Sequence, residues 1–160
     1  MTRRKHSALV AAGLLALTLT GVTGAEDQGL RVLVPANPKS FHKDPALHPI
    51  ASLLTLNGAA DKEGTYHYRA RFPSGLKLPP HRNAKDQFVT LVKGIYWLGS
   101  GERYNPMKMQ ELQAGASFFI PAGTPTYAWA RTEVILHVLT EGSGTSPITY
   151  VNPDDDPREQ

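Results

Sequence analysis

After Ala25 the chain never holds a helical period, and short β-rich runs are cut at close intervals by glycine and proline. Strict alternation of apolar and polar residues marks a half-buried strand, and Tyr66–Phe72 (YHYRARF) is the clearest case. Further strands are predicted at 50–56, 88–92, 95–98, 107–112, 117–120, 127–130, 133–139 and 148–151. Between them fall turn signals: Asn57-Gly58, Asp61 to Gly64, Pro73-Ser74-Gly75, Lys93-Gly94, Ala114-Gly115 and Pro121-Ala122-Gly123. Residues 99–105 and 141–146 read as loops. Many short strands without tandem repeats point to a closed all-β fold, a sandwich, barrel or jelly roll.

The two ends differ from this pattern. Residues 1–25 have the form of an export signal: Arg3, Arg4 and Lys5, an apolar run from Ala8 to Leu19, then the small residues Thr23-Gly24-Ala25. Cleavage after Ala25 is expected, since the run is shorter than the roughly 20 residues of a spanning helix. The product would be periplasmic or secreted, with no stable membrane anchor. Residues 26–49 form an extended N-terminal segment, with a short β-branched run at 30–34. Four prolines (Pro35, Pro38, Pro45, Pro49) make residues 35–49 a loop crossing the barrel surface, with His42 and His48 exposed on it. The barrel itself is expected over 50–152. The acidic, proline-broken tail 153–160 is expected to be disordered or to lie on the surface.

Charge excludes one class of partner. The chain has 17 basic and 14 acidic residues, and three of the basic ones belong to the signal. The mature chain therefore balances at 14 against 14, and nothing points to nucleic acid. The absence of cysteine rules out disulfides and thiolate metal sites. No nucleophile elbow frames a serine, and no phosphate loop is present.

The chemistry concentrates in Gly75–Gly94, GLKLPPHRNAKDQFVTLVKG. Gly75 is followed after five residues by His81-Arg82-Asn83, after three more by Gln87, and after six more by Gly94. A second constellation follows: Gly115, five residues, Pro121-Ala122-Gly123, two residues, Thr126. With Pro79-Pro80-His81, Ala128-Trp129 and Ile148-Thr149-Tyr150-Val151-Asn152-Pro153, the chain resembles the exported single-domain cupins of uncharacterised function. That resemblance implies a double-stranded β-helix, a jelly-roll-like barrel. In the family the positions of His81, Asn83, Gln87 and Thr126 are metal ligands: two histidines, a glutamate and a third histidine. Here only His81 keeps the ligand type.

Transition metals favour neutral imidazole and anionic carboxylate, whereas amide and hydroxyl oxygens are weak neutral donors. The expectation is no tightly held cofactor, or at most a weakly bound divalent transition metal. Period-2 geometry turns Gln87, Val89 and Leu91 inward, His81 and Asn83 to one face, and Thr126 and Ala128 inward. Tyr127 and Trp129 then face out, toward a second layer or a partner chain. A neutral polar pocket around His81, Asn83, Gln87 and Thr126 would hold water or a small polar ligand.

His67 and His137 are candidates for an additional part of that pocket. A His81–Asp86 acid–base pair is disfavoured because Asp86 precedes an inward Gln87 and points away. Three functions stay open: a metal-free binding module, a metal-dependent oxygenase, isomerase or lyase using His81 with unusual ligands, and a structural or interaction protein. The resemblance makes a homodimer the default under each.

Overall fold

A computed structural model of the chain describes residues 41–44, 47–142 and 148–159. The expected export signal and the run at 30–34 lie outside the described residues. Eleven strands are described: β1 His42–Lys43, β2 Ser52–Asn57, β3 Gly64–Phe72, β4 Lys77–Asn83, β5 Gln87–Lys93, β6 Ile95–Ser100, β7 Gln110–Gln113, β8 Ser117–Ile120, β9 Thr126–Ala130, β10 Val134–Gly142 and β11 Ile148–Tyr150. They form two sheets, ordered β1-β2-β3-β10-β5-β8 and β11-β4-β9-β6-β7, and every pairing is antiparallel.

The core follows from alternation. Tyr66, Tyr68, Ala70 and Phe72 of β3 are buried, as are Val134, Leu136 and Val138 of β10 and Val89 and Leu91 of β5. From the other sheet Leu78, Tyr96, Ala128, Ala130, Ile148 and Tyr150 join the same cluster. Intervening residues face outward. Among the described residues no helix is long and apolar enough to cross a membrane.

The sequence pattern does not announce β4, whose centre is Pro79-Pro80. A proline cannot donate to a ladder, and the strand meets this with a bulge. Leu78 pairs with Ala128 and His81 with Thr126, so three steps on β4 match two on β9. The proline carbonyls still serve: Pro80 accepts from Val151 N–H at 2.9 Å.

Three expectations need correction. The strand expected at 107–112 starts only at Gln110, because Pro106–Lys108 form a 3-10 turn capped by Asn105, whose Oδ1 accepts from Met107 N–H at 3.0 Å. The proline-rich segment before residue 50 includes β1, which pairs with β2. Within it His42 is exposed but His48 is buried, its Nδ1 accepting from Ile50 N–H at 3.2 Å. The tail lies on the surface, one of the two expected alternatives: it turns under an Asn152 cap, and Asp156, its one buried described residue, pairs with Arg158. Arg158 in turn lies over Tyr150, 5.5 Å from its ring centre. Position along the chain misled for His48, since burial depends on what a segment packs against.

The outward aromatics are covered in two ways. Tyr127 is buried beneath the 101–105 loop. Its hydroxyl donates to Asn105 O, its ring lies 5.3 Å from Tyr104, and Gly99 sits directly below it, where an added Cβ would be 2.2 Å from the ring. Trp129 packs edge-on to Trp97 at 5.7 Å, and Arg131 stacks over both.

Candidate functional site

The bulge in β4 sets up the interior. It restores His81 and Asn83 to the inward phase after the proline pair, and both are buried. Thr126, also buried, stands opposite His81 across the β4–β9 pairing. Gln87 opens β5 and is half-buried. These four side chains line one cavity of about 40 Å³, with Tyr68, Tyr96, Phe72, Phe118 and aliphatic residues completing its wall.

The two sequence constellations are tied together by hydrogen bonds. Gly123 N–H donates to Asn83 O at 2.9 Å, and Ala122 N–H donates to Asp86 Oδ1 at 2.7 Å. Arg82, facing outward, donates to Gly123 O at 2.6 Å. Asp86 thus points away from His81 and anchors the Pro121-Ala122-Gly123 turn, so the two form no acid–base pair.

His81 is held in one tautomer. Its Nδ1 lies 2.8 Å from Pro79 O, and a carbonyl only accepts, so Nδ1 carries the proton and Nε2 keeps the lone pair. Burial lowers its pKa, opposed by the bond to Pro79, and the ring is neutral at pH 7. Tyr68, fully enclosed, bonds to Gln87, and burial pushes its phenol far above the usual value. Asn83 Nδ2, Thr126 Oγ1 and the hydroxyl of Tyr150, whose ring lies 6.0 Å from His81, have no partner among the described residues. Sequence reasoning does not single out Tyr68, which lines the cavity. The alternation of Tyr66–Phe72 marks a strand, but which polar group Tyr68 meets depends on register between distant strands.

His67 and His137 do not belong to this pocket. Each sits between buried neighbours on its strand (Tyr66 and Tyr68, Leu136 and Val138), so the period-2 rule turns both to the outer face of the six-stranded sheet. There they stack on each other at 4.3 Å, 11° from parallel.

No family model and no curated protein sequence matches the chain. Solved structures do. KdgF from Halomonas sp. superposes with a TM-score of 0.50 at 17% identity, covering 64% of this chain and 87% of that one. The chain has the cupin fold. An RmlC-like cupin from Shewanella frigidimarina (TM-score 0.48, 19% identity, 58% and 77% covered) and a cupin superfamily protein from Desulfitobacterium hafniense (TM-score 0.47, 10% identity, 58% and 78% covered) are also similar.

The metal that the cupin fold implies does not fit the residues present. One imidazole, two amides and a hydroxyl offer no negative charge to offset the desolvation of a dication. Among the described residues no three His, Asp or Glu side chains gather as ligands.

The buried histidines predict a pH dependence. Burial lowers the pKa of both His81 and His48, for His48 against an opposing pull from Asp156. As pH falls below about 6.5, the unfolded chain takes up these protons first, so stability present above that value is lost. The slope is at most about 1.4 kcal/mol per pH unit for each group. Glu133 and Asp156, with pKa values held down mainly by Lys93 and Arg158 respectively, titrate below this window. Urea unfolding between about pH 7.5 and 5.5 should show the loss, and His81→Gln should flatten it. An unchanged slope in that variant would contradict the assignment of His81 as buried and neutral.

Proposed function

We propose that this chain is an exported, non-catalytic cupin whose interior holds a small neutral guest on hydrogen bonds in place of a metal ion. The observation that carries the reading is the convergence of His81, Asn83, Gln87 and Thr126 on one cavity of about 40 Å³ without a carboxylate. A buried polar atom left unpaired costs about 1–3 kcal/mol, and Asn83 Nδ2 and Thr126 Oγ1 both gain from a guest able to donate and accept. The volume suits one water, whose share of the liquid is about 30 Å³, and not an organic ligand, whose pockets run from about 300 Å³. The small polar ligand expected at this site is therefore water-sized. Export is supported by the composition of residues 1–25. A homodimer stays part of the proposal, resting on the resemblance to cupins.

One observation favours the enzymatic alternative: the tautomer of His81 leaves Nε2 as a lone-pair donor, the form a metal ligand takes. Elemental analysis separates the two. Protein purified without a histidine tag, then incubated with iron, manganese, zinc, copper or nickel and desalted, should hold substoichiometric metal, with no difference in His81→Ala. A tight equivalent that disappears in His81→Ala would overturn the metal-free reading.

A further inference from the structure

The outer face of the six-stranded sheet carries a groove unconnected with the interior. Register aligns two rows of outward side chains across β3, β10, β5 and β8. One row runs His67, Leu139, Phe88, Phe119, and the next runs Arg69, His137, Thr90, Ser117. Three residues of the first row are apolar and open: Phe88, Phe119 and Leu139 are 59%, 47% and 41% exposed, and the two phenyl rings lie 4.6 Å apart. The second row is polar, with Thr90 Oγ1 3.0 Å from Ser117 Oγ. Seven of these eight residues line a groove of about 490 Å³, within the size range of small-molecule sites, and Arg69 adjoins it beside its register partner His137.

Charge on this face is unbalanced in one place. Arg71 and Lys93 share the carboxylate of Glu133. Arg69, beside His137 in register, has no carboxylate among the described residues, and its Nε is buried without a partner. Burial lowers the pKa of His137, and the charges of His67 and then Arg69 act in the same direction. A cation would be repelled here, and a neutral apolar molecule would leave the guanidinium unmet. An anion with an apolar body answers both rows at once.

We propose that this groove binds a small amphipathic carboxylate, its charge at Arg69 and His137 and its ring or short hydrocarbon chain across Leu139, Phe88 and Phe119. The site stands whether or not the interior holds a metal.

Amide NMR titrations with phenylacetate, hexanoate and the neutral phenylacetamide test it. Saturable shifts in β5, β8 and β10 are expected with both carboxylates. Phenylacetamide should bind about tenfold more weakly, the loss of one charge-assisted contact. Arg69→Gln should remove that preference and leave phenylacetamide binding unchanged. Phe88→Ser, at an exposed position that leaves the melting curve intact, should weaken all three ligands. The proposal is overturned if phenylacetate and phenylacetamide bind alike, if neither carboxylate saturates, or if the shifts map to β4 and β9. It is also overturned if the protein is a dimer that Phe88→Ser dissociates, since the face would then belong to a second copy of the chain.

Discussion

A variant carrying Asn83→His, Gln87→Glu and Thr126→His together should bind one equivalent of a divalent transition metal and melt at a higher temperature in its presence. The positions already converge on one cavity, with Thr126 opposite His81 across a strand pair. The scaffold therefore has the geometry, and only the donor chemistry is missing. The variant would supply three imidazoles and one carboxylate, which suit zinc, iron, manganese or nickel. Metal at about a thousand times its Kd stabilises the folded state by about 4 kcal/mol. The two new imidazoles are bulkier than the residues they replace, and overpacking costs about 1–3 kcal/mol. The metal-free variant should accordingly be less stable than the parent, and the gain should appear on adding metal and vanish with chelator. Adding His81→Ala should abolish it. Melting curves that coincide with and without metal, in a variant that still folds, would show that the four side chains do not share a site.

The features legible in the sequence were those that residue chemistry enforces locally. Gly75, Gly94, Gly115 and Gly123 were read as turn landmarks, and all four have positive φ, between 71° and 98°, a region most side chains avoid. Alternation correctly turned Val89, Leu91 and Ala128 inward, because a strand offers only two phases. The same rule was available for His67 and His137, whose buried flanking residues show the outward phase, but their residue type drew them toward the pocket. Other features depended on long-range pairing. The bulge that lets β4 pass Pro79-Pro80 exists only against β9. His48 is buried and electrostatically linked to Asp156, about a hundred residues later in the chain. The row joining Arg69 to Ser117 needs four strands in register before it exists.

Gly94→Ala should destabilise the protein far more than Gly75→Ala, although the two glycines bound the same motif and have similar backbone angles. Gly75 has φ +88° and Gly94 φ +96°, so alanine at either site bears the strain of a left-handed conformation, about 1–3 kcal/mol. The surroundings differ. Around Gly75 a new Cβ meets nothing within 4 Å. At Gly94 it would lie 2.3 Å from the carbonyl oxygen of Glu133 and 2.9 Å from Thr132 Oγ1. The Glu133 contact is with backbone leading directly into β10, the strand paired with both β3 and β5. It cannot be relieved by a rotamer change. The same turn also uses Thr132 Oγ1 to accept from Ile95 N–H at 2.9 Å, so displacement would strand a donor. Overpacking against rigid backbone adds about 1–3 kcal/mol or more to the conformational strain. Urea midpoints should therefore fall modestly for Gly75→Ala and by roughly twice as much or more for Gly94→Ala. Equal losses would mean that both glycines serve only their backbone angles, and that the approach of β10 to the Gly94 turn does not constrain the barrel.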